Sequence, residues 1–512
     1  MPPGRTRAGD TLVCVIACAI SCATRGLAGV PVTVEADIAN GLPAFTIVGL
    51  TDRAIQEARE RVKPAIRNAG FKFPQRRVTV NLAPAELPKE GTGSDLAIAI
   101  AVLRAEDPSL RLDGLAFLGE LALDGSVRPV TGVLPMARCL AAAGITRLIV
   151  PVENAPEAAL ADGVEVLGAT SLQACVEYLR GDGPLVAGVR DGSAPSLAPE
   201  PDLAAVRGQG QAKRALEIAA AGGHNILMSG PPGAGKTMLA RTFPSLLPDL
   251  RSDAALEVPA IYSLRGTLRE RPPTTLRPPF RAPHHSISRA GLVGGGTDLA
   301  QPGEISLAHM GVLFLDELCE FSRQHLEALR QPLEEHSVTV ARARAAVTYP
   351  ADFMLIGASN PCPCGHLGDA QGCTCEPRQL SAYGNKISGP IKDRIDLVVS
   401  VPRQEYRDIF DGTDEEPSAA VRDRVEAARQ RRGEGAEHGN AALTGREILA
   451  AARATAPARR LLALSGERLH LSARGFFRIL RVARTISDLA GDDRVGEDAL
   501  AEALHYRIEM AG

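Results

Sequence analysis

Apolar and polar positions change rhythm several times along this chain, and the changes divide it. In residues 30–38, valines and other apolar residues alternate with polar ones, the period-two pattern of a strand with one buried face. Similar short runs at 45–48, 78–82 and 148–150 predict further strands, while 52–69, 95–103 and 155–161 carry helical spacing. Residues 1–180 therefore predict a mixed α/β domain. The apolar stretch 12–23 is too short to span a bilayer and precedes no clear cleavage site. Cys14, Cys18 and Cys22 within it, at i, i+4 and i+8, are expected to be small core residues on one face rather than metal or redox groups.

Residues 181–203 are rich in Gly, Pro and small side chains without apolar periodicity, so they predict a linker. In 204–402 the apolar runs 225–229, 312–315, 353–357 and 397–401 are short and continuous, as in strands of a parallel sheet covered on both faces. Residues 403–512 are helical in pattern, interrupted by charge at 430–440. With 512 residues, about three domains are expected. A net charge of −3 provides no global attraction for nucleic acid, so any such contact needs a local patch. Only seven of the basic residues are Lys, which makes a Lys within a motif more informative than usual.

One such lysine closes the string Gly230-Pro231-Pro232-Gly233-Ala234-Gly235-Lys236-Thr237, which follows the strand-like run 225–229 and precedes the helical run 238–243. This strand–GxxxxGK[ST]–helix order lets the backbone curl so that successive N–H groups and a helix N-terminus face phosphate oxygens. Lys236 is expected to reach the β and γ phosphates of ATP, and Thr237 to ligate Mg2+. The buried run 312–315 then delivers Asp316 and Glu317 at a strand's C-terminal end, where ligands bind in open α/β sheets. Asp316 is expected to hold the magnesium and Glu317 to polarise the attacking water, since phosphoryl transfer needs an oriented nucleophile. Asn360, just past the run 353–357, can orient that water from the other side. Arg394 precedes the last strand-like run.

These residues resemble the ComM-type, magnesium-chelatase-like AAA+ proteins. The resemblance rests on Val206-Arg207-Gly208-Gln209, on Ala212-Lys213-Arg214-Ala215-Leu216, and on the phosphate loop. It extends to Arg281-Ala282-Pro283-His284-His285-Ser286, Gly303-Glu304-Ile305-Ser306-Leu307-Ala308-His309 and Ile387-Ser388-Gly389-Pro390, and it covers nearly the whole chain from about residue 30. It implies an AAA+ core with a helical lid and a homohexameric ring. It makes Asn360 the sensor-one residue, Arg394 an arginine finger acting on a neighbour, and Arg474 the sensor-two arginine. It also implies DNA as substrate, with helicase activity in branch migration during homologous recombination or natural transformation.

Lys236 and Asp316 are 80 residues apart (316 − 236), and the excess includes 257–300, expected to be an excursion toward the ring pore. A second insertion, 337–349, predicts a hairpin with Arg342 and Arg344 near its tip, where they would grip a phosphate backbone without regard to sequence. An ordinary solvated hairpin is the alternative. Cys362, Cys364, Cys373 and Cys375 form CxC-x8-CxC, a set suited to a structural zinc ion, with free thiols or a disulfide as alternatives.

The first domain resembles the proteolytic domain of Lon-type proteases, a ribosomal S5 domain 2-like α/β fold, through 88–91, 123–127 and 129–132. That family needs a Ser nucleophile and a Lys base. In register the Ser position holds Gly93 and the Lys position Leu134, with Ser94 one residue off, so peptide hydrolysis is not expected. A magnesium-chelatase-type motor that remodels a protein partner, and less so an ATP-dependent protease, stand beside the DNA motor. Reduced thiols and the lack of a membrane segment fit a cytoplasmic protein.

Overall fold

The computed structural model describes residues 16–49, 52–84, 92–189, 200–250, 254–268, 277–296, 300–341, 346–368, 372–404, 415–432 and 439–508. The chain divides into two units, Met1–Pro195 with Pro259–Thr274, and Ser196–Val258 with Thr275–Gly512.

The first unit is built on an eight-stranded mixed sheet. Its order is Val186–Ala187, Glu165–Ala169, Arg147–Pro151, Leu115–Phe117, Ala17–Arg25, Ala28–Ala39, Arg77–Ala83, Ala44–Val48. The alternation read at 30–38 buries Val32, Val34 and Ala36 completely on one face. The helix Asp95–Glu106 has apolar residues on every side and is buried in the same core, Leu96 to Val102 being at most 1% exposed. Helix Asp52–Asn68 matches its expected span, whereas 155–161 forms only the short helix Ala155–Ala158. Of the early cysteines expected to be core residues on one face, Cys22 is buried but Cys18 is exposed. Both lie on Ala17–Arg25, which pairs antiparallel with Ala28–Ala39 through a tight turn. Cys14 lies outside the described residues.

Part of the expected excursion folds into this unit. The N–H of Gly132 donates to Ser263 O at 3.0 Å, and the N–H of Leu134 donates to Ser263 Oγ at 3.4 Å.

The second unit holds a five-stranded sheet in which every pair is parallel, in the order Phe280–Arg281, Gly311–Leu315, Phe353–Ser359, Ile226–Ser229, Leu397–Ser400. All five residues of Gly311–Leu315 are buried, as a strand covered on both faces requires. The edge strand Phe280–Arg281 lies within the expected excursion, so that stretch contributes to the core sheet itself. Helices Gly210–Gly222, Ser418–Gln430 and Ala473–Ala490 pack with the sheet into one apolar core. The lid region also contains Gly445–Ala452, Ala456–Arg468 and Glu497–Ile508. Helix Gly445–Ala452 starts at a reciprocal cap between Thr444 and Glu447, and Ala473–Ala490 starts at Ser472 Oγ, which accepts the N–H of Gly475.

The second insertion is a hairpin, Ser337–Ala341 against Ala346–Pro350 with Ala341 opposite Ala346. Arg342 and Arg344 lie outside the described residues. No helix among the described residues is long and apolar enough to cross a membrane.

Candidate functional site

Because the sheet is parallel, its strands all open onto the same edge, and three loops converge there. Strand Ile226–Ser229 runs into the phosphate loop, Gly311–Leu315 into Asp316 and Glu317, and Phe353–Ser359 into Asn360. Gly230 must be glycine, since a Cβ there would lie 2.1 Å from the carbonyl oxygen of Val401. Gly235 caps the helix Lys236–Thr242 with φ +91°, a conformation L side chains rarely adopt.

The Lys236 side chain is buried back over its own loop. Its ammonium donates to Gly230 O at 2.6 Å, Pro231 O at 2.9 Å and Asn360 Oδ1 at 3.1 Å. Burial lowers its pKa from the ordinary lysine value, and the negative charges of Asp316 and Glu317 partly oppose the shift. All three acceptors are neutral, so a polyanion entering the cradle offers this ammonium a stronger partner than it has. Thr237 Oγ1 donates to Asp316 Oδ2 at 2.7 Å, which sets side by side a hydroxyl and a carboxylate that could hold a divalent cation. The N–H of Glu317 donates to Asp316 Oδ1 at 2.9 Å.

Glu317 itself has φ +50° and ψ +48°, an uncommon backbone state for glutamate, and its side chain is 57% exposed. The strained turn presents its carboxylate outward next to Asp316. Five residues expected from the sequence, Lys236, Thr237, Asp316, Glu317 and Asn360, thus meet at one edge.

Arg394 and Arg474 do not join them. Arg394 precedes Leu397–Ser400 and so sits at the opposite edge of the sheet. Only 9% exposed, it is ion-paired with Glu334 and donates to Pro390 O. Burial, followed by the charges of Arg474, Arg330 and Arg478, lowers its pKa from the ordinary value. Arg394 and Arg474 line one open cleft of about 960 Å3 together with Asn225, Asp352 and Arg478. Strands of four to seven residues at about 3.3 Å each separate this edge from the phosphate loop. Neither arginine is therefore placed beside its own Lys236.

Two residues of the site were not assigned roles from sequence. His285 Nδ1 lies 3.4 Å from Glu317 Oε2, and its ring is 4.0 Å from that of His284. Gln209 donates to Pro402 O at 2.7 Å and to Ala234 O, within the phosphate loop, at 3.4 Å. Both belong to motifs that supported the resemblance, and that recurrence was the only available signal. In the first unit, Ser94 Oγ is 3.2 Å from Ser21 Oγ, and Leu134 is fully buried.

Residues 202–409 match the family model for magnesium chelatase, subunit ChlI. Residues 34–154 match the model for subunit ChlI of Mg-chelatase, and 415–507 the model for the ChlI C-terminal region. A Mycobacterium tuberculosis H37Rv protein is 46% identical over 497 residues, 96% of this chain and 98% of that one. Protein YifB of Escherichia coli K12 is 44% identical over 94% of this chain and 96% of its own. Competence protein ComM of Haemophilus influenzae is 43% identical over 96% and 97%. With that likeness running nearly end to end, and with a parallel α/β core, the chain belongs to the ComM/YifB-type, magnesium-chelatase-like family of AAA+ proteins.

Proposed function

We propose that this protein is a ring-forming ATPase, a homohexamer that acts on single-stranded or branched DNA as a helicase promoting branch migration in homologous recombination or natural transformation. The observation that carries the ATPase reading is the convergence of Lys236, Thr237, Asp316, Glu317 and Asn360 at one sheet edge. ATP and Mg2+ are the cofactors this set fits. The phosphate loop and Lys236 would hold the triphosphate, while Thr237 and Asp316 would hold the magnesium, which supplies charge neutralisation at the phosphates when bound. Glu317 holds the attacking water as hydrogen-bond acceptor, with His285 against its carboxylate, and Asn360 fixes the water's other side.

Arg394 supports the ring reading. A guanidinium at the far sheet edge has no nucleotide of its own to serve, whereas in a closed ring that edge faces a neighbour's phosphate loop. Arg474, beside it in the same cleft, would act with it on that neighbour. The DNA reading is supported by the likeness to a competence protein and by the paired strands Ser337–Ala341 and Ala346–Pro350, between which the sequence has Arg342 and Arg344.

Strand displacement on forked and four-way DNA, with and without ATP, tests it. Unwinding is expected to need ATP and to be lost on Arg342→Ala/Arg344→Ala, while ATPase persists. DNA-independent ATPase with no displacement on any substrate would instead favour a chelatase-type motor that remodels a protein partner. Proteolysis is disfavoured, because the positions of a Lon-type dyad hold Gly93 and the buried Leu134.

A further inference from the structure

Strand Phe353–Ser359 ends one residue before Asn360, and helix Pro377–Gly384 begins at 377. Between them, the described residues form neither helix nor strand. Four thiols converge within this segment. Cys362 Sγ lies 3.3 Å from Cys364 Sγ and 3.7 Å from Cys373 Sγ, and Cys364 Sγ lies 3.7 Å from Cys373 Sγ. With Cys375, all four sulfurs fall within 4.8 Å of one another.

Neither alternative left open by the sequence explains this. A disulfide joins two sulfurs at about 2.05 Å and leaves the others no reason to approach. Ordinary hydrophobic burial is equally poor, since only Cys362 is buried and the other three are half-exposed. A tetrahedron of thiolates around an ion at about 2.3 Å has edges of about 3.8 Å, close to the separations found. The sulfurs also receive backbone donors. The N–H groups of His366 and Thr374 point to Cys364, and that of Cys375 points to Cys373 Sγ at 3.4 Å. Such donors orient metal-bound thiolates and temper their charge.

We propose that Cys362, Cys364, Cys373 and Cys375 bind one zinc ion in a closed four-thiolate site that staples the segment after Asn360 against the phosphate loop. The closed ligand set makes the ion structural, because no position is left for water or substrate. Zinc is the choice among thiophilic ions, since it has no redox chemistry to disturb a neighbouring nucleotide and accepts the near-tetrahedral array without a preference of its own. Binding needs all four thiols deprotonated and therefore releases protons. What the staple holds is explicit in the structure. Cys362 is two residues from Asn360, the acceptor of Lys236. Gly365, inside the knuckle, packs so closely on the phosphate loop that a Cβ there would lie 2.6 Å from Pro232 Cδ.

The test is elemental analysis of the full-length protein, purified under reducing conditions without added metal. About one zinc per chain is expected. Cys373→Ser/Cys375→Ser is expected to retain less than about a tenth of it, and Cys18→Ser, which removes an exposed thiol outside the quartet, all of it. Should the double variant fail to fold, the wild type decides alone. Zinc displaced by cobalt should give the intense thiolate-to-metal absorption and visible bands of a tetrahedral four-sulfur site. Zinc-free wild-type protein, iron in place of zinc, or cobalt bands of an octahedral or mixed-ligand site would overturn the proposal. These readouts do not depend on ATP turnover, so the zinc site and the motor reading fail separately.

Discussion

Gly365→Ala measures how tightly the four-cysteine segment is coupled to the proposed nucleotide site, and Gly368→Ala is its matched control. Both glycines have positive φ, +83° and +78°. Alanine in the left-handed region costs about 1–2 kcal/mol, and that cost is common to both substitutions. They differ in what the new Cβ meets. At Gly368 nothing lies within 4 Å, whereas at Gly365 the Pro232 ring stands at 2.6 Å and 2.9 Å. Carbon atoms normally rest about 3.5–4.0 Å apart, so knuckle or phosphate loop must retreat by about 1 Å. The proline ring is rigid and cannot fold aside. A displacement of about 1 Å at a reacting centre can cost roughly 100-fold in rate. Steady-state ATP hydrolysis should therefore show kcat/KM reduced roughly 10- to 100-fold in Gly365→Ala and within about threefold of wild type in Gly368→Ala. Zinc content, measured in parallel, should be unchanged in both. Equal activity in the two variants would refute the coupling, because only the contact with Pro232 separates them.

Glu317→Gln keeps the size of the side chain and the contacts among Lys236, Thr237 and Asp316. It should leave ATP affinity within a few-fold while slowing turnover by about 10²–10⁴, read by fluorescent-nucleotide binding and phosphate release. Arg394→Ala and Lys236→Ala should each be inactive alone, yet mixed rings should regain ATPase where an intact site meets an intact Arg394. No recovery on mixing would exclude action between neighbours. In the first unit, burial raises the Asp95 carboxyl from 3.8 to about 6, despite its ion pair with Arg61 at 2.7 Å. A raised folded-state value means that its stabilising contribution is complete below about pH 3.8 and lost as pH rises through about 6, a swing of up to about 3 kcal/mol. Thermal melts of wild type relative to Asp95→Asn should therefore fall between about pH 4 and 6.5, and parallel curves would contradict it.

Sequence alone determined the elements whose chemistry is local. The phosphate loop was legible because strand, glycine turn and helix N-terminus are consecutive, so Lys236 and Thr237 are placed by backbone geometry within one short segment. Asp316, Glu317 and Asn360 were legible because continuous apolar runs end just before them, and a parallel sheet brings such ends to one edge. The core strands and the hairpin Ser337–Pro350 were readable for the same reason of short-range pattern. Tertiary structure decided the rest. Phe280–Arg281 is a strand only because Val312 and Leu313 lie alongside it, and two residues carry no period. Cys18 and Cys22 share a strand that pairs with Ala28–Ala39, and only the packing around it leaves one exposed and buries the other. His285 meets Glu317 across 32 residues (317 − 285), Gly365 meets Pro232 across 133 (365 − 232), and Arg394 meets Arg474 across 80 (474 − 394). Such meetings leave no periodic trace in the chain, because they are set by how whole elements pack rather than by the residues on either side.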